Sequence, residues 1–410
     1  MTAKESQAAL RVKIGLVYNT INDEQGVAIL EQAQEELDPV EQPLEVAQAL
    51  AALGRFKHYR AEYSAAISLL EKARQLAEPL DDPQTLAGAY QHMAQYEKSM
   101  EWAQAAITLG ERHNYLQAVA IGYEFLGEDF AAMGYWDQSW EAAQKDRQIG
   151  EKIGATGRAC WGQWCSGYAL WGMGNLGEAV TELEQALDKT ITIGEDRLTT
   201  LCQCMLANVY ADMGNATAAN DFITRAMEAT QGKFELFQQG YAHHVKGYVH
   251  LQQENWRKAA DEFTLARELM EHTENRDIDH FSLANLAESL LELGEIEQAI
   301  AILGESLELA QEIGAPYYEA VTLRVQGRLL TKQGDFEAAA TAFEKAERLA
   351  TETGSRLELG RIFYQQTLMH QQQGDQELAH QDASQAQTIF EECHAARDLG
   401  KAAVLLEELG

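Results

Sequence analysis

The 410-residue chain has few of the residues that interrupt or crosslink a fold. It contains only five prolines, and no glycine-, serine- or proline-rich linker divides it, which favours one continuous helical architecture. Five cysteines, an odd number, do not make a disulfide framework, so a reducing, cytoplasmic location is expected. Since no run of about eighteen apolar residues occurs and the N-terminus lacks a signal-peptide pattern, neither a membrane span nor secretion is predicted.

Basic residues are scarce: 32 Lys and Arg stand against 64 Asp and Glu, a formal net charge of −32. Such a surface repels phosphate backbones and anionic lipid, so neither a nucleic acid nor a membrane is expected as a partner. The charge is explained by the need to keep a long helical protein in solution. Attraction of a basic partner is the other interpretation.

Patterns typical of an enzyme or a metal site are missing from the sequence. There is no strand pattern, no glycine-rich phosphate loop and no His-Glu-x-x-His motif. His243 and His250 share a helix face but lie about two turns apart, too far for one metal ion. We therefore expect no catalysis and no cofactor. Four cysteines are interpreted as small buried apolar residues rather than zinc ligands: Cys160, Cys165, Cys202 and Cys204.

A segment of forty residues recurs along the chain. Seven copies are anchored at regular positions: Gly134, Gly174, Gly214, Glu254, Gly294, Gly334 and Gly374. Three upstream copies keep the phase, with one shorter step, at Ile21, Ala61 and Ala94. Small residues stand seven places before each anchor and five and twelve places after it, with few exceptions. Because such residues let two helices approach closely and the anchor turns the chain, each repeat is predicted to be a helical hairpin stacked on its neighbours.

The segment "LRVQGRLLTKQGDFEAAATAFEKAERLA" places Gly327, Gly334, Ala339, Phe343 and Ala346 at the spacing of the tetratricopeptide repeat. The chain resembles this family over nearly its whole length. Its repeats are forty residues long instead of about thirty-four. That length is similar to the helix-extended class of kinesin light chain, Leu-Gly-Asn-type adaptors and bacterial sensor regions of signalling ATPases and cyclases.

The resemblance implies an all-α, right-handed α-solenoid superhelix of about ten hairpins, with residues 1–410 forming a single solenoid. A C-terminal capping helix is predicted at about 396–409, with four residues facing the last repeat: Leu399, Ala402, Leu406 and Leu409. Since the chain begins almost directly on a helix and stops abruptly at Gly410, we expect it to be the repeat portion of a larger signalling protein.

In the family, the first helix of each repeat lines the concave side, where ligands lie. Carrying the family's inner positions onto this chain predicts twelve peptide-binding residues: Trp161, Trp164, Tyr168, Trp171, Asn208, Tyr241, His244, Tyr248, Arg324, Arg328, Lys332 and Arg361.

The aromatic residues of repeat five share one helix face within "ACWGQWCSGYALWGMGN". Trp161 and Trp171 are interpreted as packing between adjacent first helices, because equivalent positions in other repeats are mostly apolar. The equivalents of Trp164 and Tyr168 are mostly polar, so these two are predicted to form an exposed patch for binding.

A basic row in repeats nine and ten has two interpretations. Arg324, Arg328 and Lys332, with Arg361, can hold a carboxylate or phosphate. Alternatively, they pair with Glu288 and Glu292 of the preceding repeat.

The predicted function is non-enzymatic: a scaffold whose concave groove receives a peptide or protein segment. The alternative is a ligand-sensing module of a signalling ATPase or cyclase, in which the aromatic face binds a small molecule. Oligomerisation through the edges of the superhelix is a third interpretation.

Overall fold

The computed structural model describes residues 3–20, 24–59, 62–93, 99–231, 236–271 and 277–410. Within these ranges the chain forms twenty-one α-helices and one short 3-10 turn, and it has no strand. The predicted all-α class is therefore confirmed. The helices are α1 Ala3–Thr20, α2 Glu24–Glu36, α3 Pro43–Tyr59, α4 Tyr63–Ala77, α5 Pro83–Met93, α6 Ser99–His113, α7 Leu116–Met133, α8 Trp136–Lys152, α9 Thr156–Met173, α10 Leu176–Ile193, α11 Asp196–Asp212, α12 Ala216–Thr230, α13 Leu236–Gln252, α14 Trp256–Glu271, α15 Asp277–Glu292, α16 Ile296–Ile313, α17 Pro316–Gln333, α18 Phe336–Glu352, α19 Arg356–Gln373, α20 Gln376–Glu392 and α21 Ala396–Leu409.

The helices follow the repeat frame. Ten successive pairs, from α1 with α2 to α19 with α20, correspond to the ten predicted hairpins, and α21 occupies the predicted capping position. Six described anchors are glycines with φ between +76° and +86°, the left-handed conformation that ends a first helix without steric cost. The anchors Ile21, Ala61 and Ala94 lie outside the described residues.

Contacts divide the chain into two compact units. The smaller one comprises residues 1–126 and 145–159, and the larger one residues 127–144 and 160–410. Each has its own hydrophobic clusters, one of them around Leu30 and Leu53 in the smaller unit and another around Met205 and Phe263 in the larger. Because the larger unit holds most of the regular forty-residue repeats, it is the part in which the inner face can be followed. A single solenoid over residues 1–410 stays a prediction.

The small residue seven places before each anchor is where the two helices of a hairpin touch. A Cβ added to Gly327 would lie 2.6–2.8 Å from the ring of Phe343 on the second helix. Gly247 faces Phe263 in the same way, and Gly167 faces Leu183. A small residue on one helix thus receives a large one from its partner, which fixes the register of the hairpin.

We expect Gly327→Ala to lower the free energy of unfolding by about 1–3 kcal/mol, because the buried Phe343 ring cannot move aside without disturbing its neighbours. The matched control is Gly304→Ala on the exposed side of α16, where no atom lies within 4 Å of the added Cβ. That change should stabilise the protein by about 0.5–1 kcal/mol, the helix preference of alanine. Urea denaturation measures both values, and equal effects at the two sites would contradict the proposed register.

The capping helix differs in detail from its prediction. Ala402 is buried as expected, and Leu399 packs half-buried against the core. Leu405 is buried instead of Leu406 and Leu409, which are only partly covered. The reason is that α21 contacts α11 as well as α20, so its buried face is turned towards two neighbours rather than one.

Candidate functional site

Residues far apart in sequence meet on the inner side of the larger unit. The indole Nε1 of Trp136 donates to Ser355 Oγ at 2.7 Å, across 219 residues of sequence. The hydroxyls of Tyr168 and Tyr318 lie 3.4 Å apart, and Arg361 Nη2 donates to Asp212 Oδ1 at 2.6 Å. Repeats five and six therefore contact repeats nine and ten across the inner side.

Between these contacts lies a partly open cavity of about 330 Å³ that is lined mainly by first helices. Nine of the twelve predicted site residues line it: Tyr168, Trp171, Asn208, Tyr241, His244, Tyr248, Arg324, Arg328 and Arg361. Trp161, Trp164 and Lys332 do not. Most of the residues predicted from the family's inner positions thus line one cavity. The curvature of the repeats gives this surface its concave form.

The predicted exposed patch is wrong. Trp164 and Tyr168 retain only 6% and 9% of their accessible surface. Neighbouring rings cover them: the centroids of Trp161 and Trp164 lie 5.7 Å apart, and those of Tyr168 and Trp171 lie 5.8 Å apart. Aromatic side chains bury large areas and pack edge-to-face, so a row of them on one face shields itself. Trp161 and Trp171 are half-buried against the core, as the packing interpretation predicts.

The basic row pairs with acidic residues of adjacent repeats, which is the second of the two interpretations. Arg324 donates to Glu358 at 2.6 Å and to Glu288 at 3.2 Å. Arg328 donates to Glu288 at 2.7 Å, while Lys332 donates to Glu292 at 2.6 Å. Burial opposes ionisation of Glu288, but the charges of Arg324 and Arg328 outweigh it and lower its pKa to about 2. Around Glu358 burial dominates and raises the pKa of that carboxyl.

A second polar cluster surrounds the buried Asp212 of α11. Its carboxylate accepts hydrogen bonds from Tyr248 Oη at 2.6 Å, Trp171 Nε1 at 2.7 Å and Arg361 Nη2 at 2.6 Å. Arg361 also donates to Asp398 Oδ2 of α21 at 2.9 Å. One guanidinium therefore joins repeats six, seven and ten and the capping helix.

Asn208 lies in the cavity wall and contains an unsatisfied polar atom. Its Oδ1 is buried and accepts no hydrogen bond from any described residue. Its Nδ2 lies 4.0 Å from the sulfur of Met205, a weak acceptor that also receives the hydroxyl of Tyr241 at 3.0 Å. A buried amide oxygen without a donor is destabilising, so this position favours a ligand that supplies an N–H or O–H.

The inner-position map missed several residues of the cavity wall. Tyr317 and Tyr318 lie at the start of α17, beyond the mapped positions, and Arg397 and Lys401 lie on the capping helix, which the map did not include. The adjacent tyrosines of repeat nine were the one signal in the sequence, since they form its only Tyr-Tyr pair.

All five cysteines are buried and none of them forms a disulfide, and burial was predicted for four of them. Burial raises the pKa of the Cys204 thiol to about 12, which makes it unreactive at neutral pH. Across the described residues no group of three His, Cys, Asp or Glu side chains could hold a metal ion, and no helix there is long and apolar enough to cross a membrane.

Comparisons with known proteins agree with this architecture. Residues 279–352 match the tetratricopeptide repeat family model. No curated protein matches the chain significantly. The fold of the chain is similar to a Rap protein complexed with competence and sporulation factor, at 11% identity and a TM-score of 0.55, covering 96% of this chain and 99% of that one.

Two further solved structures share the fold. A Rap conjugation gene regulator in complex with a Phr peptide is 14% identical, with a TM-score of 0.57 over 95% of this chain and 96% of that one. Human IFIT1 with PPP-AAAA is 13% identical, with a TM-score of 0.51 over 98% of this chain and 90% of that one. Residues 279–352 are thus repeats of the tetratricopeptide type, and the chain as a whole has the helical-repeat fold of these structures.

Proposed function

We propose that this protein is a non-enzymatic binding module and that the cavity of its larger unit receives a short peptide segment. The observation that carries the proposal is the buried carbonyl oxygen of Asn208, which lacks a donor in the wall of an aromatic-lined cavity of about 330 Å³. A peptide brings main-chain N–H groups for Asn208 and apolar side chains for the rings of Tyr168, Trp171 and Tyr248.

The charges around the cavity support a ligand without a large net charge. Five carboxylates and five basic side chains line it, and the basic ones are hydrogen-bonded to acidic or amide partners: Arg324, Arg328, Arg361, Arg397 and Lys401. A strongly anionic ligand would have to displace these carboxylates from their basic partners. This is unfavourable, because it leaves buried charges without a partner. Two of the fold neighbours hold a factor or a peptide, which agrees with this ligand class.

The second candidate is a sensor of a small molecule. The size of the cavity favours it, because small-molecule sites commonly measure about 300–1,000 Å³. Such a ligand would place a flat or apolar surface between the tyrosines and a hydroxyl or amine on Asn208. Both candidates use the same wall, so binding experiments with both ligand classes separate them.

Asn208→Leu tests the proposal, since leucine fills the same space without the amide. We expect unchanged or higher thermal stability, because the unsatisfied oxygen is removed, together with at least about tenfold weaker ligand binding, equivalent to one lost hydrogen bond of about 1.4 kcal/mol. Intrinsic tryptophan fluorescence, followed by calorimetry, would be titrated with a short-peptide library and a metabolite library.

The control is Asn220→Leu, which removes an exposed asparagine of α12 that bonds only within its own helix. It should leave binding unchanged. Binding of metabolites without peptides would select the sensor, and the absence of any response to either library would contradict the proposed cavity ligand.

A further inference from the structure

One anchor of the larger unit breaks the repeat rule. Where six other described anchors have glycine, the turn between α13 and α14 has Glu254, at a φ of +60°. Residues other than glycine rarely adopt this left-handed backbone conformation, because their Cβ crowds the following carbonyl. A glutamate held there therefore needs a compensating interaction made by its side chain.

That interaction is with the capping helix. The Glu254 carboxylate accepts hydrogen bonds from Arg397 Nη2 at 2.9 Å and from Lys401 Nζ at 2.7 Å. Arg397 also donates to Gln252 Oε1 at 2.5 Å. The hydrogen bond from Lys401 lowers the pKa of Glu254 despite partial burial, so the carboxylate is ionised at neutral pH.

The two preceding anchors touch the same C-terminal segment. A Cβ on Gly214 would lie 3.1 Å from the backbone nitrogen of Arg397, and one on Gly174 would lie 2.8 Å from Cys393 Sγ. Residues 393–401 thus cross the anchors of repeats five, six and seven in succession. Arg397, Asp398 and Lys401 also form part of the cavity wall.

We propose that residues 393–401 form a releasable clasp that closes the cavity and controls ligand entry. This inference rests on the proposed function of the cavity. The clasp is joined to repeats five to seven by polar contacts that are partly exposed, such as the pairs of Glu254, and by close packing at glycines. Partly exposed ion pairs are weak and exchange readily with water. Asp398 of the clasp also pairs with Arg361 of repeat ten, and this more buried contact stays in place. The clasp can therefore separate from repeats five to seven without unfolding a repeat, as closing segments over binding sites do.

A purely structural turn would be served better by glycine, as at the other anchors. Glu254→Gly removes the strained side chain and the two ion pairs together, so opposite effects are expected on the hairpin and on the capping helix. The α13–α14 hairpin should be as stable as before or more stable, while α21 becomes freer. Amide hydrogen exchange followed by mass spectrometry should show at least tenfold faster exchange in residues 396–409 and no acceleration in α13 or α14.

Glu352→Gln is the matched control, because it removes the same charge from an exposed glutamate of α18 whose ion pair is long, at 3.9 Å. It should leave exchange in α21 unchanged. If Glu254→Gly also leaves α21 unchanged, or accelerates α13 and α21 equally, the clasp is contradicted.

Access to the cavity can be measured without knowing the ligand. Asn208→Cys places a thiol on the cavity wall, and its rate of modification by iodoacetamide reports entry of a small probe. Adding Glu254→Gly should raise that rate at least tenfold, while the four buried native cysteines outside the clasp remain the slow internal reference. An equal rate in both backgrounds would overturn the gating role. It would leave the peptide-binding test unaffected, because that test uses Asn208→Leu with the clasp intact.

A reversible disulfide between repeat five and the clasp is expected to have the opposite effect on hydrogen exchange in α21. Gly174→Cys brings a second thiol next to Cys393, and oxidation should join them because the Cβ position lies 2.8 Å from Cys393 Sγ. Backbone strain at Gly174 is common to both redox forms, so the oxidised protein is compared with the same protein reduced. Oxidation should slow exchange in α21, whereas equal exchange in a fully oxidised sample would show that the segment does not open.

Discussion

Replacing Arg361 by leucine is expected to lower the free energy of unfolding by about 3–5 kcal/mol. Arg361 supplies the positive charge beside Asp212, whose surface is 1% exposed, and it also donates to Asp398. Without the guanidinium, the buried carboxylate of Asp212 retains only its neutral donors, Tyr248 and Trp171. An uncompensated buried charge costs far more than the intact pair contributes, so the loss is large.

Denaturant unfolding measures this effect, and two further variants serve as controls. Arg348→Leu removes an exposed arginine paired at 3.9 Å and should change stability by less than about 0.5 kcal/mol. The double variant with Asp212→Asn should be less destabilised than Arg361→Leu alone, because the buried charge is gone. A loss of less than about 1 kcal/mol in Arg361→Leu would contradict a buried ion pair between repeats six and ten.

The second large effect is expected for Trp136→Ala, which should lower the free energy of unfolding by about 3–5 kcal/mol. Trp136 is 1% exposed and packs edge-on against Tyr317, with ring centroids 5.0 Å apart. Its indole nitrogen also donates to Ser355, so one side chain joins the first turn of α8 to repeats nine and ten. Removing it creates a cavity and frees a buried hydroxyl at the same place.

The matched control lies one turn further along the same helix. Trp140 is 40% exposed, so Trp140→Ala should cost less than about 1 kcal/mol. Trp136→Phe separates packing from hydrogen bonding, since it keeps a ring and loses the bond to Ser355, for an expected loss of about 1–2 kcal/mol. Thermal unfolding of the three variants tests the order, and equal losses at both tryptophans would show that repeat four does not contact repeats nine and ten as described.

Much of the fold could be predicted because its cause is local. The spacing of Gly327 and Phe343, repeated through the chain, specifies which residues of two successive helices meet. The left-handed turns at Gly334 and its equivalents follow from the absence of a side chain. Both signals act within one hairpin of forty residues, so a single sequence contains them in full, and the ten hairpins were predicted from them.

The site was predicted only in part because its cause is not local. The inner positions were recognised, but their exposure depends on how far the repeats curve, which adds up from small rotations between neighbours. The accumulated rotation of the repeats places Tyr168 next to Tyr318 and Asp212 next to Arg361. It buried Trp164 and Tyr168, which looked exposed beside their polar equivalents, and gave the basic row its acidic partners.

The sequence by itself thus determined the repeat, the helical hairpins, their phase and part of the set of residues that line the cavity. Only the tertiary structure decided that the inner face closes into a cavity, that Asn208 lacks a donor there, and that Glu254 meets the capping helix. The physical reason is the range of the interactions. Hairpin packing joins residues a few tens of positions apart, whereas the closing contacts join residues 113 to 219 positions apart and depend on the summed geometry of every repeat between them.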